Sequence, residues 1–479
     1  MSDNNAVSSL LDELDKEALI AIILEQRDQI ALLTQQLKGL QDQVAKNSQN
    51  SGKPPSSDGL KKPPPKSLRK KGRRASGGQK GHEGQTLERV TNPDHVIYHT
   101  LEVCPCCAGN LAQVEVEAVE KRQVFDVPPL RLEVTEHQSE IKCCPNCGQR
   151  VKGQFPDAVS QSVQYGLRLK AQAIYLNTYQ LLPLARSCEL FGDWYGHTPS
   201  QAFILNANSD LAEQLAPCLE VIRDDLIAAD VIHCDESGFR VAGRLKWLHV
   251  VGTEHLTYYR VHPKRGQVAL QDMGILPHFR GRAVHDAWRS YFQFEDCSHA
   301  LCNVHHLREL QFIVDQYQQP WASQMIDLFY DSKAEIDQAP PDDMSLPPQR
   351  LAHYQQHYEA LLQQGRLANP PLPPPTSPKR GRKKQSPAQN LLDRLSRYRT
   401  ETLAFMSDFR VPFDNNLAER DIRMMKVKQK ISGAFRTIEG AEMFCAIRSY
   451  ISTLRKQGKE VITAIYDALH GTPFIPACT

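Results

Sequence analysis

Long apolar runs are missing from this 479-residue chain. No stretch approaches the ~18 consecutive apolar residues of a membrane-spanning helix, and no apolar run follows a basic N-terminal segment. Membrane spanning and secretion are therefore not expected, and a cytoplasmic protein is. A strong net charge is also missing. The formal balance of +2 at pH 7 argues against a uniformly basic protein but hides segregation, because Lys and Arg crowd into particular segments. Acids are scarce where those cations gather: between Lys53 and Lys80 there are ten Lys and Arg and one acid, Asp58. What the chain does have is length beyond one hydrophobic core, so roughly two to four domains are expected. It also has thirteen cysteines. In a reducing compartment these stay thiols, and six fall in two tight groups, which favours a metal, zinc first, over disulfides.

From Leu19 to Val44 the residues Leu19, Ile23, Ile30, Leu33, Leu37, Leu40 and Val44 alternate spacings of four and three, interrupted by Gln26. That is a coiled-coil seam with polar flanks, and it predicts self-association over residues 1–46. Residues 47–90 are Pro-, Gly- and Ser-rich and basic, a linker that cannot bury enough apolar surface to fold but can contact a phosphate backbone. In residues 91–155, Cys104 and Cys107 frame CPCC while Cys144 and Cys147 frame CPNC, each pair spaced to chelate one zinc in a closed, structural site. Cys106 and Cys143 leave the ligand choice slightly open. The alternating β-branched residues between the pairs read as strands. Residues 156–227 read as helix, helix, turn, helix, with an N-cap at Thr198 or Ser200. This pattern fits a helix-turn-helix and an all-helical packing domain equally, since the last helix is poor in Arg and Lys.

From residue 230 the periodicity changes. AADVIHCDESGF, KWLHVVGTE and LTYYRVH read as strands, GQVALQDMGILPHF as a helix, GRAVHDAWRSY and SHALCNV as strands, and HHLRELQFIVDQY as a helix. That order, over 228–315, is the order of a ribonuclease-H-like core, with Asp235 on the first strand and Asp286 ending the fourth. An aspartate interrupting an apolar strand is costly unless paired or coordinated. Two at corresponding positions point to hard divalent cations, magnesium or manganese, of the kind that serve phosphodiester cleavage. A third carboxylate is needed. Residues 316–400 read as a helical insertion whose Pro-rich loop carries Lys379, Arg380, Arg382, Lys383 and Lys384 around Gly381, as compatible with a minor-groove hook as with a solvated loop.

The third carboxylate is sought in 401–479, within FDNNLAERDIRMMKVKQK. Asp414, Asn415 and Asn416 are N-cap types, so a helix starts there with Glu419 in its first turn. Arg423, Lys426 and Lys430 follow at spacings of four, seven and eleven on the same face, set to meet DNA phosphates beside a metal. Asp421 points away from that face. His305, in CNVHHLREL, reads as a core histidine at a helix start, with a local hydrogen bond near the site as the alternative.

NSGKPPSSD, GGQKGHEG, CPCC, CCPNC, HCDES, HDAWRSY, CNVHHLREL and NNLAERDIR together closely resemble the insertion sequence 66 family of bacterial DDE transposases, over nearly the whole length. The resemblance implies an acidic triad at Asp235, Asp286 and Glu419, and Lys426 matches the basic residue such enzymes commonly hold seven positions after the glutamate. It implies metal-dependent cleavage at transposon ends and strand transfer into target DNA. It also implies a homodimer or larger synaptic oligomer, with accessory transposition proteins as possible partners. The doubled cysteines and the residues flanking Asp235 depart from many relatives without removing a presumed ligand. Two rivals are a ribonuclease-H-like nuclease without strand transfer and a zinc-containing DNA-binding protein without cleavage.

Overall fold

The computed structural model describes residues 15–47, 50–51, 86–370 and 385–476. Most of the basic linker, and the loop bearing Arg380, Arg382 and Lys383, lie outside the described residues. The described chain divides into two units, residues 86–136 and the remainder.

Residues 86–136 correct one expectation. The alternating segment between the cysteine pairs forms no strand up to Glu136, and only its end, Ile141 and Lys142, enters one. Val114, Val116, Val124, Val127 and Val134 are exposed, and the contacts within this unit include a bridge from Val103 to Asn110 and a reciprocal link between the Val90 backbone and the Gln123 amide. Alternation marks a potential strand, but a strand persists only with a partner to satisfy its backbone.

In the other unit, α1 (Lys16–Ala45) is capped by Asp15, whose carboxylate accepts from Ala18 N. Its heptad residues stay outside any core: Ile30 is 64% exposed and Val44 87%. A short antiparallel ribbon, β1 (Ile141–Cys143) and β2 (Arg150–Lys152), flanks the second cysteine pair. Then come α2 (Leu167–Ile174), α3 (Leu184–Tyr195), α4 (Gln201–Gln214) and α5 (Ala216–Ala228). Ser200 is the N-cap of α4, accepting from Phe203 N. The apolar side of α4, Ile204, Ala207 and Leu211, is buried.

Strands β3 (Val231–Val241), β4 (Arg244–Gly252) and β5 (Thr257–His262) form an antiparallel meander. Helix α6 (Gln267–Met273) leads to β6 (Arg282–His285) and β7 (Ser298–Leu301), both parallel additions, giving the order β5-β4-β3-β6-β7. Next follow α7 (Asn303–Tyr317), α8 (Pro320–Ile336), α9 (Pro348–Ala368) and α10 (Pro387–Arg397). Gly365 of α9 lets both α8 and α10 pack closely on α9, because a Cβ there would sit 2.5 Å from Leu392 and 3.0 Å from Trp321. Last are α11 (Asn416–Ser432), α12 (Ile438–Lys456) and α13 (Val461–Leu469).

The sheet is buried on both faces. Ile232 and Cys234 of β3 join a core with α5 and α6, while Phe239 and Val241 join one with α11 and α12. A third core packs α2 and α4 against α12 and α13 through Ile174, Leu211, Tyr450 and Ile465. Helix α12 also closes one sheet edge: Ser449 and Thr453 hydroxyls accept from Tyr259 N and Thr257 N of β5 at 2.9 and 3.1 Å.

Candidate active site

Asp235 and Asp286 reach the same level from neighbouring parallel strands. His233 pairs with Val284, and each aspartate lies two residues further along its chain, Asp286 immediately past the end of β6. Side chains alternate along a strand. With Cys234 in the α5/α6 core, His233 faces the start of α11, and Asp235 shares that side. Asp235 accepts from Glu236 N at 2.8 Å and Asp286 from Trp288 N at 2.9 Å.

Glu419 lies in the first turn of α11, as the sequence led us to expect, and the cause of its placement is Asn415. This residue occupies the N-cap position but does not cap with its side chain. Its amide instead donates to the Cys234 carbonyl at 2.8 Å and meets His233 Nδ1 at 2.9 Å. Its backbone N donates to Cys302 Sγ at 3.2 Å, and Asn303 N donates to the Phe413 carbonyl at 3.1 Å. The helix start is thereby fastened to β3 and to the start of α7. Further along, Asp421 accepts from Lys456 Nζ at 2.7 Å and from the Thr257 hydroxyl at 3.2 Å. Lys456 also donates to the Thr253 and Leu256 carbonyls.

The charges of Asp286 and Glu419 reach Asp235, but the oxygens of these three carboxylates do not all lie within 4.8 Å of one another. Burial first, then the charge of Glu236, and then the charges of Asp286 and Glu419 hold the Asp235 carboxyl well above the ordinary carboxylate range. Crowded acids of this kind are the donor set that hard divalent cations take, since a cation removes the repulsion. Lys426 is half-buried and donates to the Gly238 carbonyl of β3 at 3.0 Å, while Arg423 and Lys430 are exposed. Burial lowers the Lys426 ammonium and the charge of Asp235 opposes that.

Glu236 lies on the opposite side of β3, its side chain 2% exposed. Arg265 donates to one of its oxygens from Nε at 2.9 Å, and Tyr291 donates to the other. The Arg265 guanidinium sits over Trp247 and Trp288 at 5.0 and 4.3 Å. His305 Nε2 stands 3.7 Å from Glu419 Oε1. The ligand atoms of Cys302, His305 and Glu419 lie within 4.8 Å of one another. Burial, then the charge of Glu419, pushes the Cys302 thiol up to about 12.

The two cysteine knuckles repeat one local geometry. Cys104 N donates to the Gly109 carbonyl and Ala108 N to the Cys104 carbonyl, each at 2.9 Å; Cys144 N donates to the Gln149 carbonyl at 2.8 Å and Gly148 N to the Cys144 carbonyl at 2.9 Å. Ala108 and Gly148 both take positive φ, 56° and 69°. Backbone donors of Cys106 and Cys107 lower the Cys104 thiol, and those of Cys147 and Asn146 lower Cys144. Both loops thus favour a thiolate, the form that binds zinc.

Comparison with known families decides the assignment. The family described as transposase IS66 matches residues 162–443, more than half of the chain. The chain belongs to the transposase IS66 family. The zinc-finger binding domain of transposase IS66 matches residues 102–148, taking in all four expected cysteines, and a family of unknown function matches residues 6–88. No curated protein matches the chain. Within the IS66 match lie Asp235, Asp286 and Glu419, together with Glu236, Arg265, Asn415 and Asp421, while Lys456 lies beyond it. The Glu236–Arg265 pair was signalled only by an acid inside an apolar strand, and the Asp421–Lys456 pair joins residues 35 positions apart that no local pattern connects. Asn415 was read as a cap; its contacts with β3, more than 180 residues away in sequence, are invisible to helix rules.

Proposed function

We propose that this transposase is a DDE enzyme with a ribonuclease-H-like core, cutting DNA at transposon ends and joining the ends to target DNA. The placement of Asp235 and Asp286 at one level of adjacent parallel strands, with Glu419 in the first turn of a helix fastened to β3, carries this reading. The strand order β5-β4-β3-β6-β7, with a meander followed by parallel additions, supports the core assignment.

Asp235, Asp286 and Glu419 would hold two magnesium or manganese ions, which when bound supply Lewis acidity to the attacking and leaving oxygens. In the first step water attacks an end phosphodiester and a 3′ hydroxyl leaves. In the second that hydroxyl attacks a target phosphodiester, one P–O bond forming as one breaks. Asn415 orients the helix bearing Glu419, and the Glu236–Arg265 pair stiffens the strand bearing Asp235. Arg423 and Lys430, exposed on α11, would meet backbone phosphates, with Lys426 set deeper against β3. Arg380, Arg382 and Lys383 would add a minor-groove contact. Cys104, Cys107, Cys144 and Cys147 would be structural zinc ligands, since both knuckles favour thiolates. The exposed seam of α1 would bring two copies to the two ends.

Paired-end DNA with magnesium, and with any accessory proteins of the element supplied, tests the reading. Wild type should yield cut and joined products. Asp235→Asn and Glu419→Gln should each lower the rate at least ~100-fold, about 2.7 kcal/mol of transition-state stabilisation, while still binding the ends. Cutting without joining would leave a nuclease, binding without cutting a zinc-containing DNA-binding protein, and a wild-type rate in Glu419→Gln would return that residue to the surface.

A further inference from the structure

Beside the carboxylates lies a cluster of different chemistry. Cys302 precedes α7, His305 is on its first turn, and Glu419 is on the first turn of α11. Their sulfur, nitrogen and oxygen ligand atoms lie within 4.8 Å of one another. We propose that Cys302, His305 and Glu419 form a second metal site, selective for a zinc-class divalent cation, whose occupation withdraws Glu419 from Asp235 and Asp286 and so inhibits the enzyme.

Selectivity follows from the donors. Magnesium takes oxygen, whereas a thiolate, an imidazole and one carboxylate suit zinc and its borderline-soft neighbours. The two-residue spacing of Cys302 and His305 is the spacing with which paired zinc ligands converge. Two further observations point to a ligand. The Asn415 backbone N–H donates to Cys302 Sγ at 3.2 Å and so fixes where the sulfur stands. His305 turns Nε2 toward Glu419 Oε1 at 3.7 Å, a gap that a shared cation would bridge, while its Nδ1 is buried without a hydrogen-bond partner. On binding, the Cys302 S–H bond breaks, its proton goes to solvent, and a metal–sulfur bond forms. No electrons are exchanged.

The binding half stands on the cluster alone; the inhibitory half rests on Glu419 as a catalytic ligand. The full-length chain, prepared with cobalt in place of zinc, reports thiolate ligation through its near-ultraviolet charge-transfer absorption. Wild type should absorb more than Cys302→Ser and more than His305→Gln. Magnesium-supported cleavage is then titrated with zinc, each protein normalised to its own rate in magnesium alone. The zinc concentration for half-inhibition should rise at least ~10-fold in both variants. Two variants are used because Cys302 is buried, and each is checked for a cooperative thermal transition. Cobalt spectra identical to wild type in both variants, or an unchanged zinc midpoint in both, would overturn the proposal. A cobalt difference in a wild-type chain that never cuts in magnesium would keep the site and sink the catalytic reading instead.

Discussion

Asn415 turns both ends of its side-chain amide toward β3, and that commitment sets where Glu419 stands. Asn415→Ala leaves a buried carbonyl and a buried imidazole nitrogen short of a partner, at ~2 kcal/mol in urea unfolding. The magnesium concentration for half-maximal cleavage should rise in the same variant. A lowered urea midpoint with an unchanged magnesium midpoint would confine Asn415 to holding the fold. The acids of the proposed site stand out in the sequence because each breaks a local rule: an aspartate in or at the end of an apolar strand, a glutamate at the head of a basic helix face. Asn415, Cys302 and His305 break none. An asparagine before a helix looks like a cap, and a cysteine in an apolar run looks like core, so their tertiary contacts leave no local trace.

Helix α11 is held from two sides, by Asn415 at its start and by Asp421 one turn along. The side chains of Asp421 and Lys456 are each 15% exposed, so the pair is sheltered and its breakage costly. Lys456→Met should destabilise the protein by ~3 kcal/mol because it strands the Asp421 carboxylate, and adding Asp421→Asn should recover part of that loss. A double-variant loss equal to the sum of the two single-variant losses, measured by thermal or chemical denaturation, would show the two residues to be uncoupled. At this scale the five core strands and the helices around them were legible because period-2 and helical patterns persist when tertiary packing agrees with them. The segment between the cysteine pairs shows the opposite outcome. It alternates as a strand should, yet the described residues 86–136 give it no neighbour to pair with.

For the whole molecule, the exposed seam of α1 is the clearest prompt to assembly. Leu33→Glu with Leu37→Glu places charges where two copies would meet, and sedimentation should show the species shifting toward monomer at a given concentration, with joining of paired ends falling more than binding to a single end. An unchanged sedimentation profile would remove α1 from the interface. Among the described residues no helix is long and apolar enough to cross a membrane. The packing between α2, α4, α12 and α13 was not legible, because it joins segments more than 200 residues apart through side chains that each look like ordinary core. One consequence concerns synthesis. Strand β5 emerges from the ribosome long before the Ser449 and Thr453 hydroxyls that close its edge, so a nascent or prematurely terminated chain carries an open, sticky strand until residues 438–456 arrive. Fragments ending before that helix should be cleared by proteases or trapped by chaperones rather than compete at the DNA ends, leaving the finished chain to act there.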